Sequence, residues 1–162
     1  MTGAGLNASE IFANALRFTD AYHTTIQPLC EKTHLPPMAV DILMFLANNP
    51  GHDTAREVCR CRGFKPAIVS FHIERLAQEG YLLRRSVPDD RRKTALVCTE
   101  KAQPLIEEGR ALQKVFAQQL MVGMSEEDVA HFYRCLTIFD RNIEQIRGGS
   151  GKAAEGLEEK AK

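Results

Sequence analysis

Apolar residues recur at helical spacing along most of the chain, and they alternate in one short region. Ile11, Ala15, Phe18, Tyr22, Ile26 and Leu29 step by three or four, which predicts a first helix of about 22 residues capped by Asn7 or Ser9. Pro36 and Pro37 mark a boundary and suit a helix start. The second helix, Met38 to Ala47, is apolar nearly all round and so belongs in the middle of a domain. Asn48-Asn49-Pro50-Gly51 ends it with strong turn chemistry. Thr54 caps a short third helix that Gly63 closes, with Phe64 as a core plug in the turn that follows. In the fourth, Pro66 to Glu79, a stripe of Val69, Ile73 and Leu76 faces inward, and Gly80 stops it.

Two β-type runs follow, Tyr81 to Val87 and Thr94 to Cys98, around the charged turn Pro88-Asp89-Asp90-Arg91-Arg92-Lys93. Thr99 is the expected cap of a long fifth helix to about Val122, which Pro104 must start late or kink. Gly123-Met124-Ser125 breaks the chain, and Ser125 with Asp128 forms a capping-box pattern. The sixth helix runs to about Ile146, with Val129, Phe132, Leu136, Phe139 and Ile143 on one face. Helix, tight turn, helix and basic hairpin is the order of a winged helix-turn-helix, whose second helix enters a DNA major groove. The expected fold class is therefore mainly α with a small β-hairpin wing (α+β). Residues 1–34 and 100–147 would supply helices to a dimerisation region, 35–99 would form the DNA-binding domain, and 148–162 would be a disordered tail.

Charge changes this picture by its distribution. The net charge is zero. Residues 54–93 nevertheless carry ten Lys and Arg against five Asp and Glu, so this middle stretch is basic and the flanks are acidic. The longest uninterrupted apolar run, Ile42 to Ala47, is far too short to span a bilayer. The first residues lack the pattern of a secretory leader, and five cysteines without paired spacing fit a reducing compartment, so a cytoplasmic location is expected. No nucleophile elbow, P-loop, dinucleotide fingerprint or H-E-x-x-H is present, and Glu107-Glu108 and Glu126-Glu127 suit solvated helix faces. The expectation is a protein that is not an enzyme and needs no cofactor.

The stretch from Leu35 to Thr99 resembles the MarR family of bacterial transcriptional regulators. The family's T-x-x-E-L-A-type third helix reads here as Thr54, Glu57, Val58 and Cys59; its recognition helix as Val69, Leu76 and Gly80; its D-R-R wing as Asp90, Arg91 and Arg92; and its L-T helix start as Cys98 and Thr99. Spacing from Glu57 to Thr99 fits without a gap. The resemblance implies a homodimer with one recognition helix and one wing per half-site of a pseudo-palindromic operator. It also implies repression relieved by a small-molecule effector in a cleft between the two regions. One departure bears on specificity: the usual polar opening of the recognition helix is replaced by Lys65-Pro66-Ala67-Ile68.

The candidate DNA contacts are Lys65, Ala67, Ser70, Phe71 and Arg75 on or beside the fourth helix, and Gln78 at its end. Lys65 can donate to guanine or phosphate, Ala67 and Phe71 offer apolar contact to thymine methyls, Ser70 suits a base or a phosphate, and Arg75 suits a phosphate. In the wing, Arg91 or Arg92 suits a narrow minor groove. Asp90 would pair with Arg92, leaving Arg91 at the tip, while Arg84, Arg85 and Lys93 serve phosphates. Three sensing chemistries stay open. An apolar or aromatic effector could sit among the first, second and fifth helices. Cys61, flanked by Arg60 and Arg62, or Cys30 could respond to oxidants or electrophiles. Cys30 with His34, and His131 with Cys135, have the i, i+4 spacing of metal ligands. A winged-helix module that binds protein in place of DNA is the remaining alternative.

Overall fold

The computed structural model describes residues 7–87 and 90–158, with side chains described except at 90–92 and 147–158. Six α-helices and one hairpin follow in order: α1 (Ala8–Thr33), α2 (Pro37–Asn48), α3 (Ala55–Arg62), α4 (Pro66–Gln78), β1 (Leu82–Val87), β2 (Asp90–Cys98), α5 (Gln103–Leu120) and α6 (Glu126–Glu158). The expected class, mainly helical with a two-stranded antiparallel wing, is the one observed. By internal packing the chain divides into residues 1–117 and 118–162.

Local signals set the helix ends. Asn7 caps α1 by accepting from the Ser9 amide at 3.0 Å. Thr54 and Glu57 form a full capping box on α3, each side chain taking the other's backbone N–H. Gly63 then ends α3 in the left-handed region at φ 68°. Pro66 occupies the first turn of α4, where its missing N–H costs nothing.

The core of residues 1–117 is organised around α2. Ala39, Val40, Ile42, Leu43 and Met44 are fully buried, enclosed by Ile26 and Leu29 of α1, Val58 of α3, Val69, Ile73 and Leu76 of α4, Leu82 and Leu96 of the hairpin, and Ile106 of α5. Phe64 packs against this core from the turn, as its position implied. At Gly109, α5 approaches α2 so closely that an added Cβ would lie 2.5 Å from the Met44 sulfur. Within residues 118–162, Ser125 and Asp128 make the expected capping box at the start of α6. On that helix Phe132, Leu136, Phe139 and Ile143 remain 37–46% exposed. The tail expected over 148–162 falls on the last turns of α6 and, beyond Glu158, outside the described residues.

Two local expectations need correction. Thr99 does not cap a helix with its side chain. Its hydroxyl donates to the Gly80 carbonyl at 2.7 Å, closing the base of the hairpin, and a 3-10 turn (Glu100–Ala102) precedes α5. The second strand begins at Asp90, not at Thr94. The ladder pairs Leu82 with Cys98 through Ser86 with Thr94, then shifts register so that Val87 faces Asp90. Arg91, Arg92 and Lys93 therefore occupy an irregularity of the ladder, a device that ends regular pairing and bends a strand.

Candidate nucleic-acid interface

One face of α4 is buried by Val69, His72, Ile73 and Leu76. The opposite face carries Ala67, Ile68, Ser70, Phe71, Glu74 and Gln78, all exposed, with Lys65 exposed at the N-cap. Phe71 is 63% exposed although it is the largest apolar side chain of the helix. The helix thus presents an apolar surface beside a polar row.

That polar row is tied to the wing. The Glu74 carboxylate accepts from Arg84 of β1 at 2.7 Å on one oxygen and from Gln78 at 3.2 Å on the other. Glu74 was not among the residues read from sequence, because its partner lies ten positions away on another element. Arg75 donates to the His34 carbonyl at 2.5 Å and so holds α4 to the end of α1. His34 adopts a left-handed conformation, φ 57°, at the end of that helix. Lys101 completes the frame, donating to the Glu79 carbonyl at 2.6 Å and lying over the Tyr81 ring at 4.8 Å. Of the cations expected at DNA, Arg75 and Arg84 are thus engaged within the protein, whereas Lys65, Arg85 and Lys93 form no ion pair among the described residues. The side chains of Asp90, Arg91 and Arg92 lie outside the described residues, as does the expected pairing of Asp90 with Arg92.

Between α2 and α3 sits an ion pair that sequence reasoning missed. Asp41 is 3% exposed on the otherwise apolar α2, and Arg62, the last residue of α3, donates to both its carboxylate oxygens. A buried carboxylate needs such a partner to remain charged. The pair borders a cavity of about 270 Å³ walled by Phe18 and Tyr22 of α1, Met44 and Phe45 of α2, and Gln113 and Phe116 of α5. These are the three helices from which an effector cleft was expected. The Gln113 amide donates to the Tyr22 hydroxyl at 2.7 Å, and burial holds the Tyr22 phenol above its ordinary pKa against that hydrogen bond.

The thiols and histidines divide by environment. Cys30 is buried, and burial pushes its thiol upward, away from the thiolate that reacts with oxidants. Cys61 is exposed beside the Asp41–Arg62 pair, and Cys59 packs against the core. His72 is buried in α4 with its Nδ1 unpartnered, and burial, followed by the nearby Arg75 charge, lowers its pKa. No three metal-binding side chains converge among the described residues, those of Cys30, His34, His131 and Cys135 included. Nor is any described helix long and apolar enough to cross a membrane.

The sequence profile of the MarR family matches residues 35–93, which hold α2 to α4 and most of the hairpin. This segment belongs to the MarR family. Solved structures extend the likeness to the fold of the MarR-type chain as a whole. A MarR transcriptional regulator from Methanosarcina mazei Go1 is 20% identical at a TM-score of 0.70, covering 85% of this chain and 99% of its own. A putative MarR family transcriptional regulator from Listeria monocytogenes, solved in complex with a 26mer DNA, is 16% identical at 0.70 and covers 88% and 95%. CouR from Rhodococcus jostii RHA1, bound to p-coumaroyl-CoA, is 18% identical at 0.62 and covers 78% and 85%.

Proposed function

We propose that this MarR-type chain is a sequence-specific DNA-binding transcriptional regulator. In this reading it acts as a homodimer on a pseudo-palindromic operator and as a repressor released by a small molecule. The observation that carries the reading is the exposed α4 face beside a wing whose register shift falls on Arg91, Arg92 and Lys93. In this scheme Lys65, Arg85 and Lys93 neutralise phosphates, and Arg91 or Arg92 enters the minor groove. Arg84 and Arg75, read from sequence as phosphate ligands, serve to fix the wing and α4 through Glu74 and His34. The DNA-bound relative from Listeria supports the mode of use.

The uncovered apolar face of α6 supports homodimerisation, since a second copy would bury it and supply the two-fold symmetry of the operator. The aromatic cavity beside Asp41 and Arg62 is the effector site in this reading, and CouR, bound to p-coumaroyl-CoA, offers a parallel. A cytoplasmic location and the lack of enzymatic activity follow from the same assignment.

Fluorescence anisotropy with DNA from upstream of the coding region and a scrambled control, at two salt concentrations, tests it. Preferential binding that weakens steeply with salt is expected. In the double variant Arg91→Ala, Arg92→Ala, binding should weaken on every sequence and its salt dependence should flatten. Unchanged affinity in that variant removes the wing from the mechanism. Equal, absent or salt-insensitive binding by the unaltered protein would favour a protein-interaction module.

A further inference from the structure

The DNA-binding reading leaves open what α4 recognises on the bases. Ala67, Ile68 and Phe71 lie within little more than one turn, so they share one side of the helix. Ile68 is 40% exposed and Phe71 63% exposed. None of the three side chains can donate or accept a hydrogen bond. Of the polar groups beside them, Glu74 accepts from Gln78 and Arg84 and Arg75 donates to His34, which leaves Lys65 and Ser70 as the polar neighbours not tied to another side chain among the described residues. An exposed aromatic on the same helix as Lys65, which forms no ion pair among the described residues, suits a polyanion better than an apolar protein surface. On a major-groove floor the apolar group available to such a face is the C5-methyl of thymine.

We infer that the Ala67–Ile68–Phe71 surface of α4 selects its operator through contact with thymine C5-methyl groups. This rests on the DNA-binding reading above. Phe71 is the main specificity determinant, and Glu74 is a positioning residue that sets the wing against the helix. The operator then carries thymines where α4 enters the groove.

The test is made on the DNA, so protein folding does not complicate it. The full chain selects its preferred duplex from a random library, and each thymine is then replaced singly by uracil, which removes the methyl and keeps every hydrogen-bonding atom. At least one thymine in each half-site should show about fourfold weaker binding, the fold-change expected for one buried methyl. Cytosine at that position should bind as weakly as uracil, and 5-methylcytosine should recover most of the loss. In Phe71→Ala the thymine-to-uracil ratio should fall to near one. If the unaltered protein selects a duplex but uracil is neutral everywhere, or if Phe71→Ala keeps the same ratio, the methyl inference is overturned alone. If no duplex is selected, the DNA-binding reading falls with it.

Discussion

Helices α2 and α6 use similar apolar residues to opposite ends. In α2, Ile42, Leu43 and Met44 are fully buried in a core built with six other elements, and the helix holds residues 1–117 together. In α6, Phe132, Leu136, Phe139 and Ile143 stand in an ordered row that its own chain leaves open. An apolar stripe specifies a helix wherever it occurs, but the stripe does not say whether its cover comes from the same chain. The difference separates residues that maintain the fold from residues that, in the proposed homodimer, a second copy would cover.

The comparison is broken most severely at Leu43. Leu43→Ala leaves a hole in a region without slack and should lower unfolding free energy by about 2–5 kcal/mol, measured by urea denaturation. The matching change on the open helix, Phe139→Ala, should act on assembly instead. A loss of about 2 kcal/mol at an aromatic contact would raise the dimer dissociation constant roughly 30-fold in sedimentation equilibrium, as for other interface anchors. Equal effects of both changes on monomer unfolding would erase the distinction.

A smaller effect sharpens it at His72, a polar group on the buried side of α4. Burial and Arg75 lower its pKa, so the unfolded chain takes up the proton first. Its contribution is complete above its ordinary value near 6.5 and is lost as pH falls from there towards the folded pKa. The melting temperature should drop between pH 7.5 and 5.5, and the drop should be smaller in His72→Leu. The same drop in both proteins would assign the acid sensitivity to other groups.

Features confined to a few residues were readable from the sequence. The caps at Asn7, Thr54 and Ser125, the stop at Gly63 and the inward stripe of α4 all depend on neighbours within one helical turn. Contacts that join distant elements were not. Asp41 looks like an interruption in an apolar run until Arg62, 21 positions away, is seen to donate to it. Glu74 reads as a solvated charge until Arg84 is placed against it. Thr99 has the right residue type for a cap, but the Gly80 carbonyl competes for its hydroxyl. The basic run at 91–93 was legible as wing chemistry, while its place in a lengthened strand depends on pairing register, which side-chain type does not encode.

Gly109 has a consequence for how this sequence can drift. An added methyl there would stand 2.5 Å from the Met44 sulfur, so position 109 admits little beyond hydrogen unless Met44 shifts or is replaced with it. A larger residue there is therefore easiest to accept together with a rearranged or smaller side chain at position 44. Gly63 is constrained for another reason: the space around it is open, but its φ of 68° disfavours ordinary side chains, so asparagine is the readiest substitute. Among descendants of this chain, one glycine should therefore covary with a contact and the other should vary alone.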